Sequence, residues 1–289
     1  MFGKSRASSA GSGQTDKGMA DTDFEFLCKL VYERSRINLG PEKRVLVTSR
    51  LAARLRHHGL NNYEEYCQLL RSPKGAEELT FLIDRISTNH TQFFREIKHF
   101  DFLRDNIIPS WRAVAKRAEP FRVWSAASSS GEEAYSIAIQ LAEHFAEPTA
   151  GRWQIHGTDI STRVLDMAKQ GIYEAGRLDN VPQAIVHRYF QRGTGSWEGS
   201  LRVKEEIRRC VSFQHLNLLD AGYPFNKSFD LIFCRNVMIY FDRPTQEMLV
   251  HRLSNQLSAG CYMMVGHSES LSGIKHNLKH VQPAVYLKT

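Results

Sequence analysis

No run in this 289-residue sequence approaches the roughly 18 apolar residues that a membrane-spanning helix needs. The N-terminus, MFGKSRASSAGSGQTDKG, lacks the apolar centre of a secretory signal. Cysteine is sparse. Cys28, Cys67, Cys210, Cys234 and Cys261 are scattered, odd in number and without CxxC spacing. That excludes a disulfide framework and a cysteine zinc module, and it points to reduced thiols in a cytoplasmic setting. The twelve histidines contain no HExxH and no other recognisable ligand pair, so no metal is expected. Both glycine fingerprints of phosphate sites, GxGxxG and GxxxxGKS/T, are missing.

What is present is ordinary for a soluble globular chain: 42% hydrophobic and 24% charged residues. The net charge of +7 is concentrated. Between Cys28 and Leu60 stand Lys29, Arg34, Arg36, Lys43, Arg44, Arg50, Arg54 and Arg56 against Glu33 and Glu42. Such a segment is either a solvated helix face or an attractor for a polyanion: nucleic acid, an anionic membrane surface or an acidic protein.

The chain divides by rhythm. Residues 1–20 are rich in Gly, Ser and Lys and are expected to be a disordered tail. Residues 21–88 read as a small all-helical domain, with EKRVLVTSRLAARLRHHG as one helix ending at Gly59. Residues 89–119 read as a linker helix, TQFFREIKHFDFLRDNIIPSW, stopped near Pro109. From residue 120 to 289 strands alternate with helices: FRVWSAA, WQIHGTDI, CVSFQHLNLL, FDLIFCRNVMIYF, CYMMVGHS and AVYLKT read as strands. The helix after FDLIFCRNVMIYF is read as PTQEMLVHRLSNQLSAG. This alternation predicts an α/β fold with a doubly wound, mostly parallel sheet. At about 187–209 the stretch RYFQRGTGSWEGSLRVKEEIRR interrupts it as a small antiparallel β insertion.

The segment RVWSAASSSGEEAYSIA carries the chemistry. A strand runs into a small-residue turn, where a ligand of a doubly wound sheet sits. Gly131 supplies conformational freedom there. Two carboxylates, Glu132 and Glu133, follow at the helix start and disfavour a phosphate. Asp159 ends the second strand, where an acid can accept both hydroxyls of a ribose. A cationic nucleoside without phosphates fits this set: S-adenosyl-L-methionine, with Asn217-Leu218 at the third strand end as an adenine slot. Each acid also has a structural reading. Glu132 and Glu133 suit a helix dipole, and Asp159 could cap the next helix.

STNHTQFFRE, VWSAASSSGEEAYSIA, GTDIS, LNLLD and FDLIFCRNVMIYFD together resemble the chemotaxis receptor methyltransferase family, CheR, over about residues 22–289. The resemblance implies a seven-stranded Rossmann-like methyltransferase sheet behind an N-terminal helical domain. It implies methyl transfer from S-adenosyl-L-methionine to glutamate side chains on chemoreceptor cytoplasmic helices. The products would be glutamate γ-methyl esters and S-adenosyl-L-homocysteine. Asn89, Thr91 and Arg95 match the cofactor-contacting N-x-T-x-F-F-R of the family. Glu133, with Glu132 as alternative, matches the acid near the methionyl ammonium, and Asp159 the ribose acid. Asn217 and Leu218 match the adenine slot, Arg235 and Asn236 the strand-end pair, and Tyr240 the tyrosine near the methyl. SSSGEEAY stands where the family more often has STGEEPY.

A glutamate side chain, with an ordinary pKa near 4.3, is already a nucleophile at neutral pH. Orientation is then the main task, and Arg95 and Tyr240 are the catalytic candidates. Arg44, Arg50, Arg54 and Arg56, beside a stripe of Val47, Leu51 and Leu55, are the candidates for docking an acidic receptor. The resemblance adds a receptor contact in the β insertion around Gly193, Gly195 and Trp197, which in some members binds a C-terminal receptor peptide as an added strand. Two other readings stand beside this one: a nucleic-acid methyltransferase, suggested by the basic segment but lacking an NPPY-type loop, and a non-catalytic cofactor-sensing scaffold. Neither nucleic-acid binding nor membrane insertion is expected.

Overall fold

The structure, a computed structural model, describes residues 18–87, 89–113, 119–145 and 152–289. Most of the expected tail, residues 1–17, lies outside the described residues. Residues 18–20 do not belong to it. Met19 is buried, and its carbonyl accepts from the Arg44 guanidinium at 3.0 Å.

Four helices form the N-terminal unit: α1 (Asp21–Ser35), α2 (Arg44–His58), α3 (Tyr63–Arg71) and α4 (Gly75–Ile86). Each turns one apolar stripe inward, and Leu27, Val31, Val47, Leu51, Tyr66 and Leu82 are fully buried. Helix α2 stops at Gly59, whose φ of 65° suits a residue without Cβ. Asn62 starts α3 by accepting the Glu65 N–H at 2.9 Å.

The linker helix differs from its sequence reading at both ends. Residues 91–97 are not helical, and Phe94 and Glu96 take φ of 51° and 58°. Helix begins at α5 (Lys98–Phe102), widens into a π-helical turn over Leu103–Ile107, and continues as α6 (Ile108–Ala113). Pro109 does not end it. A proline lacks an N–H and crowds the carbonyl four residues back, and the wider turn just before it absorbs both defects, with Ile108 N donating to Leu103 O.

Beyond this lie strands β1 (Phe121–Ala126) and β2 (Trp153–Asp159), with helix α7 (Glu132–His144) between them and α8 (Thr162–Gln170) after. Next come β3 (Ile172–Glu174), helix α9 (Gln183–Tyr189), β4 (Phe190–Arg192), β5 (Ser200–Val203) and helix α10 (Glu205–Arg208). The chain then forms β6 (Val211–His215), β7 (Phe229–Cys234), helix α11 (Arg243–Gln256), β8 (Leu257–Val265), β9 (Leu278–Gln282) and β10 (Val285–Lys288). Seven strands form one sheet in the order β6-β2-β1-β7-β8-β10-β9. The first five are parallel, β10 pairs antiparallel with β8, and β9 pairs antiparallel with β10. Helices cover both faces, so β1 is buried along its whole length. Strand order reverses between β1 and β7, which opens a crevice at their carboxyl ends.

Several sequence boundaries shift. The strand read through FDLIFCRNVMIYF ends at Cys234, because Asn236 turns to φ 57° and Met238–Tyr240 form a short 3-10 turn. Helix α11 gives way to β8 at Leu257 rather than running to Gly260. Strand β9 was not read at all. The expected hairpin at 187–209 supplies only β4 and β5 of a three-stranded sheet ordered β3-β5-β4. Its third strand starts at Ile172, and three residues are too few to show an alternating pattern.

Candidate functional site

The turn after β1 is built from unusual backbone. Ala127, Ser129 and Gly131 all have positive φ, at 65°, 50° and 94°. For two residues with Cβ this is strained, and strain of this kind gathers at ligand sites. At Gly131 a Cβ would meet the Ala168 Cβ at 2.9 Å, so the close approach of α8 requires glycine. Asp159 holds the turn. One carboxylate oxygen accepts the Ser129 N–H and the other the Ser161 N–H, each at 2.9 Å. It does not cap α8, whose cap is the Ser161 hydroxyl. Burial pushes the Asp159 carboxyl above its usual range, against the pull of those N–H groups. Each oxygen keeps a lone pair for a further donor.

Opposite this turn, Glu133 accepts the Ser125 hydroxyl at 2.7 Å and lies 3.3 Å from the Arg235 guanidinium. Burial raises the Glu133 carboxyl, with Arg235 working against it. Arg235 also pairs with Glu96 at 3.0 Å. Burial acts to raise Glu96 too, but Arg235 and the His267 N–H outweigh it, and its carboxyl sits below the usual range. Beneath this pair His99 is fully buried and held neutral, its pKa lowered to about 3 by burial and by Arg235. Glu96, His99 and His267 bring possible ligand atoms within 4.8 Å of one another. Glu96 is shared with Arg235, however, and that charge opposes a cation at the same place.

One cleft, with about 1100 Å³ of space including its open mouth, joins these groups. Its wall contains Asn89, Thr91, Arg95, Glu133, Asp159, Asn217, Leu218, Arg235, Asn236 and Tyr240, ten of the residues singled out in the sequence. Glu132 is the exception. It points away, fully buried, bonded to the Ser130 hydroxyl at 2.7 Å and paired with Arg177. Asn217 borders the cleft but commits its amide to the Arg34 carbonyl at 3.0 Å and its oxygen to Leu219 N–H at 3.0 Å. It therefore fixes the slot more than it reads a base. Arg95 bonds only the His90 carbonyl, at 3.1 Å, and no carboxylate pairs with it among the described residues. The helical unit closes the cleft: Ser35, Ile37, Leu39, Lys43 and Leu46 line it, and the Lys43 ammonium lies 5.5 Å from the Tyr240 ring centre.

Residues present fit the expected cofactor. Asn89 Nδ2 is buried on the wall with no partner among the described residues, a donor free for a ligand acceptor. Asp159, the acid expected to face a ribose, keeps lone pairs for further donors. Glu133 beside Arg235 and Arg95 makes a mixed-charge end suited to an amino-acid zwitterion, and apolar Leu216 and Leu218 flank the remaining space.

The arginines read as a docking face are mostly turned to internal work. Arg54 forks onto buried Glu78, which also accepts Tyr66 at 2.7 Å and His58 at 2.8 Å. Arg50 donates to the carbonyls of Arg85, Ile86 and Ser87 at the end of α4, and Arg44 pairs with Asp21. Only Arg56 of the four is exposed without a side-chain partner among the described residues. Spacing on a helix shows which residues share a face, but not that a buried glutamate lies opposite. In the insertion, Trp197 is 55% exposed within a 3-10 turn, and Gly193 is needed because a Cβ there would meet the Trp197 carbonyl at 2.1 Å. Sequence reasoning missed Glu96, whose place next to Arg95 in FFREIKHF could have suggested it, and Glu269, which carried no local signal.

Residues 89–287 match the family described as CheR methyltransferase, SAM binding domain, and residues 22–87 match CheR methyltransferase, all-alpha domain. A chemotaxis protein methyltransferase of Borreliella burgdorferi is 43% identical over 265 residues, covering 91% of this chain and 92% of that protein. Proteins of the same name from Salmonella typhimurium and Escherichia coli are each 40% identical, over 92% and 93% of this chain and 93% and 91% of theirs. No described helix is long and apolar enough to cross a membrane. With its cleft built for a phosphate-free cationic nucleoside and both family domains matched end to end, the chain belongs to the CheR methyltransferase family, and its work is S-adenosyl-L-methionine-dependent methylation in chemotaxis.

Proposed function

We propose that this enzyme methylates glutamate side chains on the cytoplasmic helices of chemoreceptors, forming γ-methyl esters. The observation that carries the proposal is Arg95: a guanidinium on the cleft wall, beside the cofactor-facing residues, with no carboxylate of its own among the described residues. An incoming glutamate carboxylate is its natural partner, held by a charge-assisted fork. The cofactor, when bound, supplies a methyl group on a sulfonium whose departure leaves a neutral thioether. Asp159 and Asn89 orient the nucleoside end, and Glu133 with Arg235 orients the amino-acid end. Tyr240, on the same wall, orients the attacking oxygen. No proton needs to be removed, because the carboxylate is ionised at neutral pH.

The receptor helix is expected to reach the cleft at its mouth, where Lys43 and Leu46 of the helical unit border the wall and Val45 and Ile239 stand 79% and 51% exposed. This replaces the Arg50 and Arg54 face as the docking surface. A C-terminal receptor peptide is expected to add to an edge of the β3-β5-β4 sheet as a second contact, raising the effective concentration of the methylation helix. Titration with such peptides, in the wild type and in Trp197→Ala, tests that contact, and no binding to either protein removes it.

Nucleic acid loses part of its support, because Arg44 and Arg54 of the basic segment pair with Asp21 and Glu78 and Arg50 is taken up by backbone carbonyls. Transfer of labelled methyl to an acidic helical receptor peptide and to nucleic acid, with alkali treatment of the product, decides the substrate. Alkali-labile label on the peptide supports a carboxyl ester. Alkali-stable label, or label on nucleic acid alone, overturns the proposal.

A further inference from the structure

We propose that Glu269 is a positioning residue for Tyr240, acting through the loop that joins β7 to α11. This rests on the role given to Tyr240 above. Glu269 does not line the cleft, and it follows β8 rather than β7. Yet its buried carboxylate gathers three backbone N–H groups. Oε2 accepts Asn236 N at 2.7 Å and Gly266 N at 2.6 Å, while Oε1 accepts Met238 N at 2.7 Å. Asn236 is held at φ 57°, in the left-handed region, which asparagine tolerates better than most residues with Cβ but which is still uncommon. Met238 opens the 3-10 turn whose last residue is Tyr240. One carboxylate thus fixes both the left-handed start of the loop and the turn that aims the tyrosine.

The arrangement demands a carboxylate. Both oxygens act as acceptors, so an amide in either orientation would set its NH₂ against a backbone N–H. Gly266 is tied to the same geometry, because a Cβ there would lie 2.5 Å from Asn236 Nδ2 and 2.8 Å from Glu269 Oε2. Hydrogen bonds to a charged group are among the stronger ones, and losing them frees the loop to sample other arrangements.

The test is a double-mutant cycle on single-turnover methyl transfer at saturating cofactor, using wild type, Glu269→Gln, Tyr240→Phe and the double variant. Glu269→Gln is expected to slow transfer about tenfold or more in the wild-type background. In the Tyr240→Phe background the same change should cost less than about threefold, since the two residues act on one step. A merely structural role for Glu269 would give equal costs in both backgrounds. Gly266→Ala, which crowds the same loop from outside, stands in if Glu269→Gln does not fold. Wild-type transfer by the Glu269 variant, or additive costs, overturns the inference. If Tyr240→Phe alone transfers at the wild-type rate, the role of Tyr240 falls first and this inference with it.

Discussion

At the scale of single residues, the cleft holds two carboxylates, Asp159 and Glu133, in a buried setting, and the proposed function has a cationic ligand stabilise them. Asp159→Ala should cut the affinity for S-adenosyl-L-homocysteine about tenfold or more, the worth of hydrogen bonds to a charged group, and isothermal titration calorimetry reads it directly. Wild-type affinity in that variant would remove the ribose role. The raised carboxyls of Asp159 and Glu133 give a pH signature. A carboxyl whose free-enzyme pKa lies above its ordinary value is partly protonated at mildly acidic pH, and a ligand that favours its ionised form must expel that proton. Affinity should therefore fall as pH drops, beginning above the ordinary carboxylate range, and binding at mildly acidic pH should release protons. Calorimetry in two buffers of different ionisation heat reports the release, and zero exchange would count against these two acids as ligand contacts. Asp159 was legible in the sequence because strand ends in a doubly wound sheet are predictable. The choice of Glu133 over Glu132 was not, because both sit in the first turn of α7 and only Arg177 and Arg235, distant in sequence, separate them.

At the scale of elements, the α2–α4 contact shows how a pattern read correctly can be assigned the wrong task. Arg54 and Glu78 are both nearly buried, and removing Arg54 leaves the Glu78 carboxylate with only Tyr66 and His58. Arg54→Met should destabilise the helical unit by about 3–5 kcal/mol, seen in urea unfolding, while an exposed pair would lose far less. Glu78 ionises below its ordinary pKa in the folded unit, since burial is outweighed by Arg54, Tyr66 and His58. Its contribution is thus complete above the unfolded-state value and is lost as pH falls through the folded one, so the unit should weaken in acid. Docking is expected instead at the N-terminal end of α2. Lys43→Glu should raise the KM for receptor peptide several-fold at low salt, with a smaller effect at moderate salt. A KM equal to wild type at both ionic strengths would exclude that end. The helices and parallel strands were readable because each buries a stripe or an unbroken apolar run. The π-helical turn, the three-residue β3 and the left-handed Asn236 were not: Pro109 reads as a stop, three residues are too few for a pattern, and Asn236 is held by Glu269, distant in sequence.

For the whole molecule, the decisive feature is that neither unit owns the cleft. The sheet supplies the acids, while residues from Ser35 to Leu46 of the helical unit form the facing wall. Among the described residues the hydrogen bonds that join the two units include Asn217 to the Arg34 carbonyl, Asn38 N–H to the Tyr240 carbonyl at 3.1 Å, Tyr32 to Asp242 and Thr162 to Asp84. The sequence showed two units at a change of rhythm, but the residues that span them match no common motif, so the shared cleft was not legible. A ligand seated there is a mortar joint between two blocks. In scanning calorimetry the ligand-free enzyme should melt in two partly resolved steps, and saturating S-adenosyl-L-homocysteine should merge them into one at higher temperature. At a hundred times its dissociation constant the ligand adds about 2.7 kcal/mol. A ligand that raised one step and left the other in place would show that it grips the sheet alone. A single merged step would mean that the departure of spent cofactor loosens the joint, so that occupancy of the cleft also sets how firmly the two blocks stand together.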